Sequence, residues 1–154
     1  MMKVARTALI AALLMGAPGC QTKSQPEPVI RRITANPARL DAEAITRARE
    51  VAADHRRVLV YFHADWCGPC QRIGKAFDRP SNRQAFSQWV LLPVNVDEMP
   101  SDNGPTLGVS FETIPFFVKL DASGKAVGTM DGTAFGPEPS DEKVDEIFRN
   151  FLRT

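Results

Sequence analysis

The residues of this chain best suited to chemistry are Cys67 and Cys70, separated by two residues in Trp66-Cys67-Gly68-Pro69-Cys70. An apolar run, Val58-Leu59-Val60-Tyr61-Phe62, precedes them and a helical pattern follows. At a strand-to-helix junction, a thiol pair of this spacing can do reversible two-electron chemistry. The first thiol sits where a helix N-terminus stabilises its thiolate, and the second is near enough to resolve a mixed disulfide. Such chemistry reduces, oxidises or shuffles disulfides.

The flanking pattern supplies elements to hold this pair. Asp41 is expected to cap a helix running to about Arg56, with Ala44, Ile45, Ala48, Val51 and Ala52 on its inner face. Val58–His63 reads as a strand buried on both faces, and Cys67–Phe77 as the helix after it. Ser81–Gln84 fits a capping box opening a short helix to about Trp89, and Val90–Val96 is the next strand. Asp97–Pro105 is loop, with a helical turn expected over Thr106–Ser110. Phe116–Asp121 and Lys125–Met130 form a hairpin around Gly124, where a left-handed conformation is expected. After a loop over Asp131–Pro139, Ser140 caps a last helix with Val144, Ile147, Phe148 and Phe151 as its buried stripe. The order predicts an α/β fold: a mixed central sheet with helices on both faces.

The first residues address the chain rather than fold it. Lys3 and Arg6 precede an apolar stretch from Thr7 to Ala17, roughly a dozen residues, the length of a signal-peptide core. Spanning a bilayer takes about 20. Ala17, Pro18 and Gly19 lead into Cys20, a pattern that resembles a bacterial lipoprotein signal, although Ala17 stands where leucine is usual. The resemblance implies a signal peptide over 1–19, cleavage before Cys20 and lipidation of that thiol. An ordinary cleaved secretory signal and a retained anchor are the alternatives. With Cys20 spent on lipid, Cys67 and Cys70 are the only pair left of the three cysteines, and no four-thiolate zinc site is possible. Export suits the pair, because disulfides persist outside the cytoplasm.

Without the leader about 135 residues remain, enough for one domain with its own core plus a tether. The 19 basic and 18 acidic side chains give a net charge of +1, which points away from nucleic acid. The doublets Arg31-Arg32 and Arg56-Arg57 read as solvated surface. Residues 20–40, with Pro26, Pro28 and Pro37, read as a flexible tether. Val29–Ile33 is alternatively a short edge strand. The domain proper is placed at 41–154.

From Asp41 to Leu152 the chain resembles the thioredoxin superfamily. The likeness rests on Val58–Phe62, Ala64-Asp65-Trp66-Cys67-Gly68-Pro69-Cys70, Val94-Asn95-Val96-Asp97, and Ile114-Pro115 before a strand. It implies a thioredoxin-like three-layer sandwich. It also implies that Cys67 is the exposed nucleophile, Cys70 the buried resolving thiol and Pro115 a cis-proline against the pair. The Ile114 backbone would pair with an extended substrate, Gly68 and Pro69 would line the site, and Trp66 would pack over it. Tyr61 stands where members often carry a buried acid, and Pro93 where its lysine partner falls. Asp65, Asp97 or a water could substitute. His63 reads first as packing or a polar contact, then as tuning of Cys67, and last as a metal ligand. His55 reads as a charge at a helix C-terminus. The aromatic residues Trp89, Phe86, Phe111, Phe116 and Phe117 read as core or groove wall.

These readings combine into an exported, membrane-tethered thiol–disulfide oxidoreductase, lipid-anchored on the periplasmic or other extracytoplasmic face. Its cofactor would be the redox-active cysteine pair alone, with no metal. Gly68-Pro69 matches the reducing end of the superfamily, near about −270 mV, rather than the strong oxidant at about −120 mV. The Ala64–Cys67 lead-in and the insert around Asp78–Ser87 are similar to the exported C-terminal domain of transmembrane disulfide reductases. That similarity implies a membrane electron donor, and substrates among apocytochromes or other exported cysteine proteins. An oxidase or isomerase is the nearer alternative. A non-enzymatic binding module and a copper or zinc carrier are alternatives of other classes.

Overall fold

The computed structural model describes residues 29–100 and 106–153. The leader, Cys20 and the first part of the expected tether lie outside them, as does the end of the loop before Thr106.

Five strands form one sheet in the order β1-β3-β2-β4-β5. They are β1 (Arg31–Arg32), β2 (Arg57–His63), β3 (Trp89–Asn95), β4 (Phe116–Leu120) and β5 (Ala126–Asp131). The first three run parallel, β4 is antiparallel to β2, and β5 to β4. Helix α1 (Leu40–Ala52) covers one face, with Leu40, Ala44, Ala48 and Val51 against Val58, Val60, Phe62, Val90 and Leu92. The other face carries α2 (Gly68–Gly74), α3 (Arg83–Phe86) and α4 (Asp141–Leu152). There Leu59, Tyr61 and Leu91 meet Ile73, Phe77, Phe86 and Phe148. The period-two alternation of β2 therefore feeds two separate cores, which is why its whole length reads as apolar. The three-layer α/β sandwich expected from the sequence is the observed architecture.

Several local expectations give way to tertiary contacts. The tether reading of residues 20–40 stops at Val29. Ile30 is buried, Arg31–Arg32 pair with Val90–Leu91, and Pro37–Arg39 form a 3-10 turn capped by Asn36. Asp41 does not cap α1; its carboxylate accepts from the Leu107 amide at 2.8 Å. Ile45 is left at the exposed rim, and Leu40 takes a core position in its place. Thr106–Ser110 is no helical turn. Thr106 and Val109 bond across a tight turn with Leu107 and Gly108 both left-handed. His55 sits beyond the α1 terminus in the left-handed region, its amide bonded to the Ala52 carbonyl. Gly124 is also left-handed, and a Cβ there would lie 2.6 Å from the Ile45 backbone. Glycine is required at that position on both counts.

Pro93 lies within a strand that has neighbours on both sides, where a missing N–H is normally costly. The Leu91 carbonyl accepts from the Ile33 amide, so alternate residues of β3 turn their polar groups towards β1. Pro93 is two residues on and faces the same way, past the last residue of β1 that pairs. It therefore deprives no partner of a donor.

A buried polar cluster ties α4 to the segment after α2. Ser81 does not cap α3; its hydroxyl donates to Asp145 at 2.7 Å. Asn82 donates to the same carboxylate at 2.7 Å and Arg79 Nε at 2.8 Å, while Arg79 also reaches Asp141. Asp145, on α4 beside Val144 and Phe148, is buried where a plain helical reading puts solvent, whereas Ile147 and Phe151 are only half-buried. Burial alone would push the Asp145 carboxyl up, yet the bonds from Arg79, Ser81 and Asn82 hold it below its ordinary value. Replacing Asp145 with alanine leaves Ser81 and Asn82 without this acceptor and Arg79 with Asp141 alone, and is expected to cost about 3 kcal/mol in urea unfolding at neutral pH. Because the folded-state pKa is depressed, this contribution is complete above about pH 4 and is lost as pH falls through the lower folded value. The gap between wild type and Asp145→Ala should therefore narrow below pH 4; a gap unchanged into strong acid would contradict the assignment.

Candidate active site

Cys67 ends the turn that follows β2 and is the N-cap residue of α2, with Gly68 and Pro69 in the first turn. Proline costs nothing there, because that amide has no intrahelical partner. Cys67 and Cys70 are joined as a disulfide, with Cα atoms 5.2 Å apart. The Cys70 amide donates to Cys67 Sγ at 3.2 Å. On reduction this bond and the helix end would favour a thiolate at Cys67 over one at Cys70.

Across from the pair, the Ile114–Pro115 peptide is cis, as the sequence resemblance implied. The Ile114 carbonyl oxygen lies 3.8 Å from Cys67 Sγ. The expected difference in exposure between the two cysteines is absent: Cys67 is 4% exposed and Cys70 2%. What separates them is their surroundings. Cys67 Sγ lies against the Ile114 carbonyl, while Cys70 borders a cavity lined by Tyr61 and His63.

Two grooves meet at Ile114. One, of about 390 Å³, is walled by Pro69, Ile73, Pro115, Gly132 and Thr133. The other is a broad trough of about 1110 Å³ reaching Trp66, Phe111, Met99 and the start of α1. Trp66 is 69% exposed, and its indole N–H donates to the Asp97 carboxylate at 3.0 and 3.2 Å. Asp97 thus has a positioning contact with Trp66.

The sequence reading missed Gly132. A Cβ there would come within 2.8 Å of the Pro115 ring, so only glycine allows this approach. Asp131 fixes the turn by accepting from the Thr133 amide at 2.8 Å. The only local signal was an Asp-Gly step after a strand, which reads as a turn and says nothing of Pro115.

Tyr61 is buried, and its hydroxyl donates to the Cys70 carbonyl at 2.9 Å. Burial pushes its phenol well above the ordinary tyrosine value. His63 stacks on Tyr61 with ring centroids 5.0 Å apart. Burial lowers its pKa, against the pull of the Asp65 and Glu98 carboxylates. Among the described residues, no group of three or more His, Cys, Asp or Glu side chains is placed to hold a metal. No described helix is long and apolar enough to cross a membrane. The aromatic residues singled out by the sequence are core or groove wall: Trp89, Phe86 and Phe117 are fully buried, and Phe111 stacks on Phe116.

Known proteins match this arrangement. The thioredoxin family profile aligns with residues 42–136. Thioredoxin of Mycoplasma pneumoniae is 29% identical over 90 residues, covering 58% of this chain and 86% of the relative. Thioredoxin-like protein 1 of Schizosaccharomyces pombe is 33% identical over 82 residues, covering 53% of this chain and 26% of the relative, so the match spans a minor part of that protein. Among solved structures, a disulphide isomerase from Xylella fastidiosa Temecula1 superposes with a TM-score of 0.52 at 19% identity, covering 75% of this chain and 91% of that one; this likeness speaks for the fold alone. With the family profile spanning most of the domain and the cysteine pair set against a cis-proline, the chain belongs to the thioredoxin family and has the fold of thioredoxin-type thiol–disulfide oxidoreductases.

Proposed function

We propose that this protein is an exported, membrane-tethered thiol–disulfide oxidoreductase that reduces disulfides of exported proteins. The observation that carries the reading is the Cys67–Cys70 disulfide at the start of α2, with the Ile114 carbonyl beside Cys67 Sγ. In the reduced protein, Cys67 thiolate attacks a partner disulfide and releases one partner thiol. Cys70 then attacks Cys67 Sγ, releases the second thiol and closes the Cys67–Cys70 bond. The partner gains two electrons and the cysteine pair loses them. An extended partner segment fits the grooves at Ile114, where backbone pairing and side-chain pockets are both within reach.

Export and tethering rest on the sequence before the domain: the basic Lys3 and Arg6, the apolar stretch to Ala17, and the cysteine at position 20. Gly68-Pro69 supports the reducing direction. A reductase in an oxidising compartment must be recharged, so a membrane electron donor is part of the proposal.

Purified protein recharged by dithiothreitol should reduce insulin disulfides, and Cys67→Ser should lower that rate at least about 10³-fold. Cys70→Ser should instead accumulate a mixed disulfide through Cys67, visible on non-reducing gels and by mass. A Cys67→Ser protein that retains full activity would sink the enzymatic reading and favour a binding module.

Full-length protein expressed in a bacterial host should partition with membranes and carry acyl chains at residue 20. Cys20→Ala should move it to the soluble fraction. Identical fractionation of the two proteins would exclude the lipid tether.

A further inference from the structure

We propose that His63 accepts the proton of the Cys70 thiol when Cys70 resolves a mixed disulfide, acting through water in the cavity they share. The inference rests on the exchange reaction proposed above and identifies how its second step is driven. That step needs a base. Cys70 is 2% exposed, and its thiol must lose a proton before its sulfur can attack Cys67. Burial in apolar surroundings opposes that loss unless a nearby group takes the proton.

The cavity on the Cys70 side supplies the route. It has a volume of about 520 Å³ and is walled by Cys70, Tyr61, His63, Arg32, Asp65 and Pro93. A water's share of liquid volume is about 30 Å³, so the space holds a chain of several. Its position follows from features already described. Beta-1 ends before Pro93, which leaves that side of β3 uncovered, and the alternation of β2 places Tyr61 and His63 together on the α2 face.

The walls offer few candidates for the base. Arg32 is a permanent cation whose guanidinium is bound to Asp78 at 2.8 Å. Tyr61 already donates its proton to the Cys70 carbonyl, so its hydroxyl is oriented away from accepting one by direct transfer, and burial keeps the phenol protonated. Asp65 is exposed, and a carboxylate is a weaker base than an imidazole. His63 remains. It is half-buried, and its ring is held by stacking on Tyr61. The charged or titratable groups around it are Tyr61 on its own strand, Arg32 from β1, Asp65 after β2, Glu98 after β3 and Cys70 on α2. Burial outweighs the two carboxylates, so the imidazole is neutral at neutral pH and free to accept.

The step balances. The proton passes from Cys70 Sγ through water to a ring nitrogen of His63. Cys70 sulfur forms a bond to Cys67 Sγ, the bond between Cys67 and the partner breaks, and the partner leaves as a thiolate. The imidazolium then returns its proton to solvent through the cavity mouth. In the reverse direction the same residue protonates Cys70 as the disulfide opens.

The test is single-turnover resolution. Reduced protein is mixed with a peptide disulfide, and formation and decay of the mixed disulfide are followed by acid quench from pH 5 to 9. In wild type the decay rate should fall as pH drops through the His63 pKa, below about 6.5. His63→Gln should slow decay at pH 7 at least about tenfold, remove that inflection and leave mixed-disulfide formation nearly unchanged. Free imidazole should restore much of the rate to His63→Ala, a response that a merely structural role would not give. If His63→Gln does not fold, His63→Asn carries the same comparison. Decay with the same pH profile in wild type and the glutamine or asparagine variant would overturn the inference while leaving the exchange reaction intact. A wild-type protein that forms no mixed disulfide would overturn both.

Discussion

The antiparallel register between β2 and β4 is the constraint on which the site depends. Phe62 opposite Phe116 brings the end of one strand beside the start of the other. The chain leaving β2 turns into Cys67, and the chain entering β4 comes through Ile114–Pro115, so the disulfide and the cis peptide must meet. A one-residue slip would send Phe62 and Phe116 to the wrong core and carry Ile114 away from Cys67. Two packed faces oppose that slip. Val58, Val60 and Phe62 are locked under α1, while Leu59 and Tyr61 are locked under α2 and α4. Burial on both sides of one strand thus becomes geometry at its end.

Around that meeting point, each neighbour sets one property of the pair. The start of α2 and the Cys70 amide favour charge on Cys67. Gly132, fixed by the Asp131 turn, lets the Pro115 ring sit close without a clash. Asp97 holds the indole of Trp66 at the edge of the broad trough, leaving a large apolar surface open to a partner. Tyr61 bonds the Cys70 backbone, and the cavity on that side is lined by the rings of Tyr61, His63 and Phe77. The two sulfurs therefore have different surroundings even though their exposure is nearly equal.

Much of this was legible in the sequence, for physical reasons. Cysteines at that spacing after an apolar strand have few structural uses, and Ile114-Pro115 before a second strand gave the opposing wall. Strand β2 and helix α4 were readable because their apolar periods are unbroken. The failures came where one side chain answers to a distant element. Asp145 occupies a helix position that reads as solvent, and only Arg79, Ser81 and Asn82 make it interior. Ser81 and Asp41 look like helix caps, yet each bonds a partner far along the chain. Arg31–Arg32 is too short and too charged to read firmly as a strand, and it pairs because the edge of β3 is open there. Gly132 gave no spacing signal at all, since its relevance lies in what stands opposite it, while His63, four residues before Cys67, read first as packing or a polar contact.

Exchange with protein disulfides in the reducing direction requires a low equilibrium potential of the Cys67–Cys70 pair. Residues 29–154 equilibrated against defined glutathione ratios, with the Cys67–Cys70 state read by thiol alkylation and mass, should give a potential of about −250 mV or lower. A value of about −150 mV or higher would contradict the reductase account and identify an oxidant or isomerase instead.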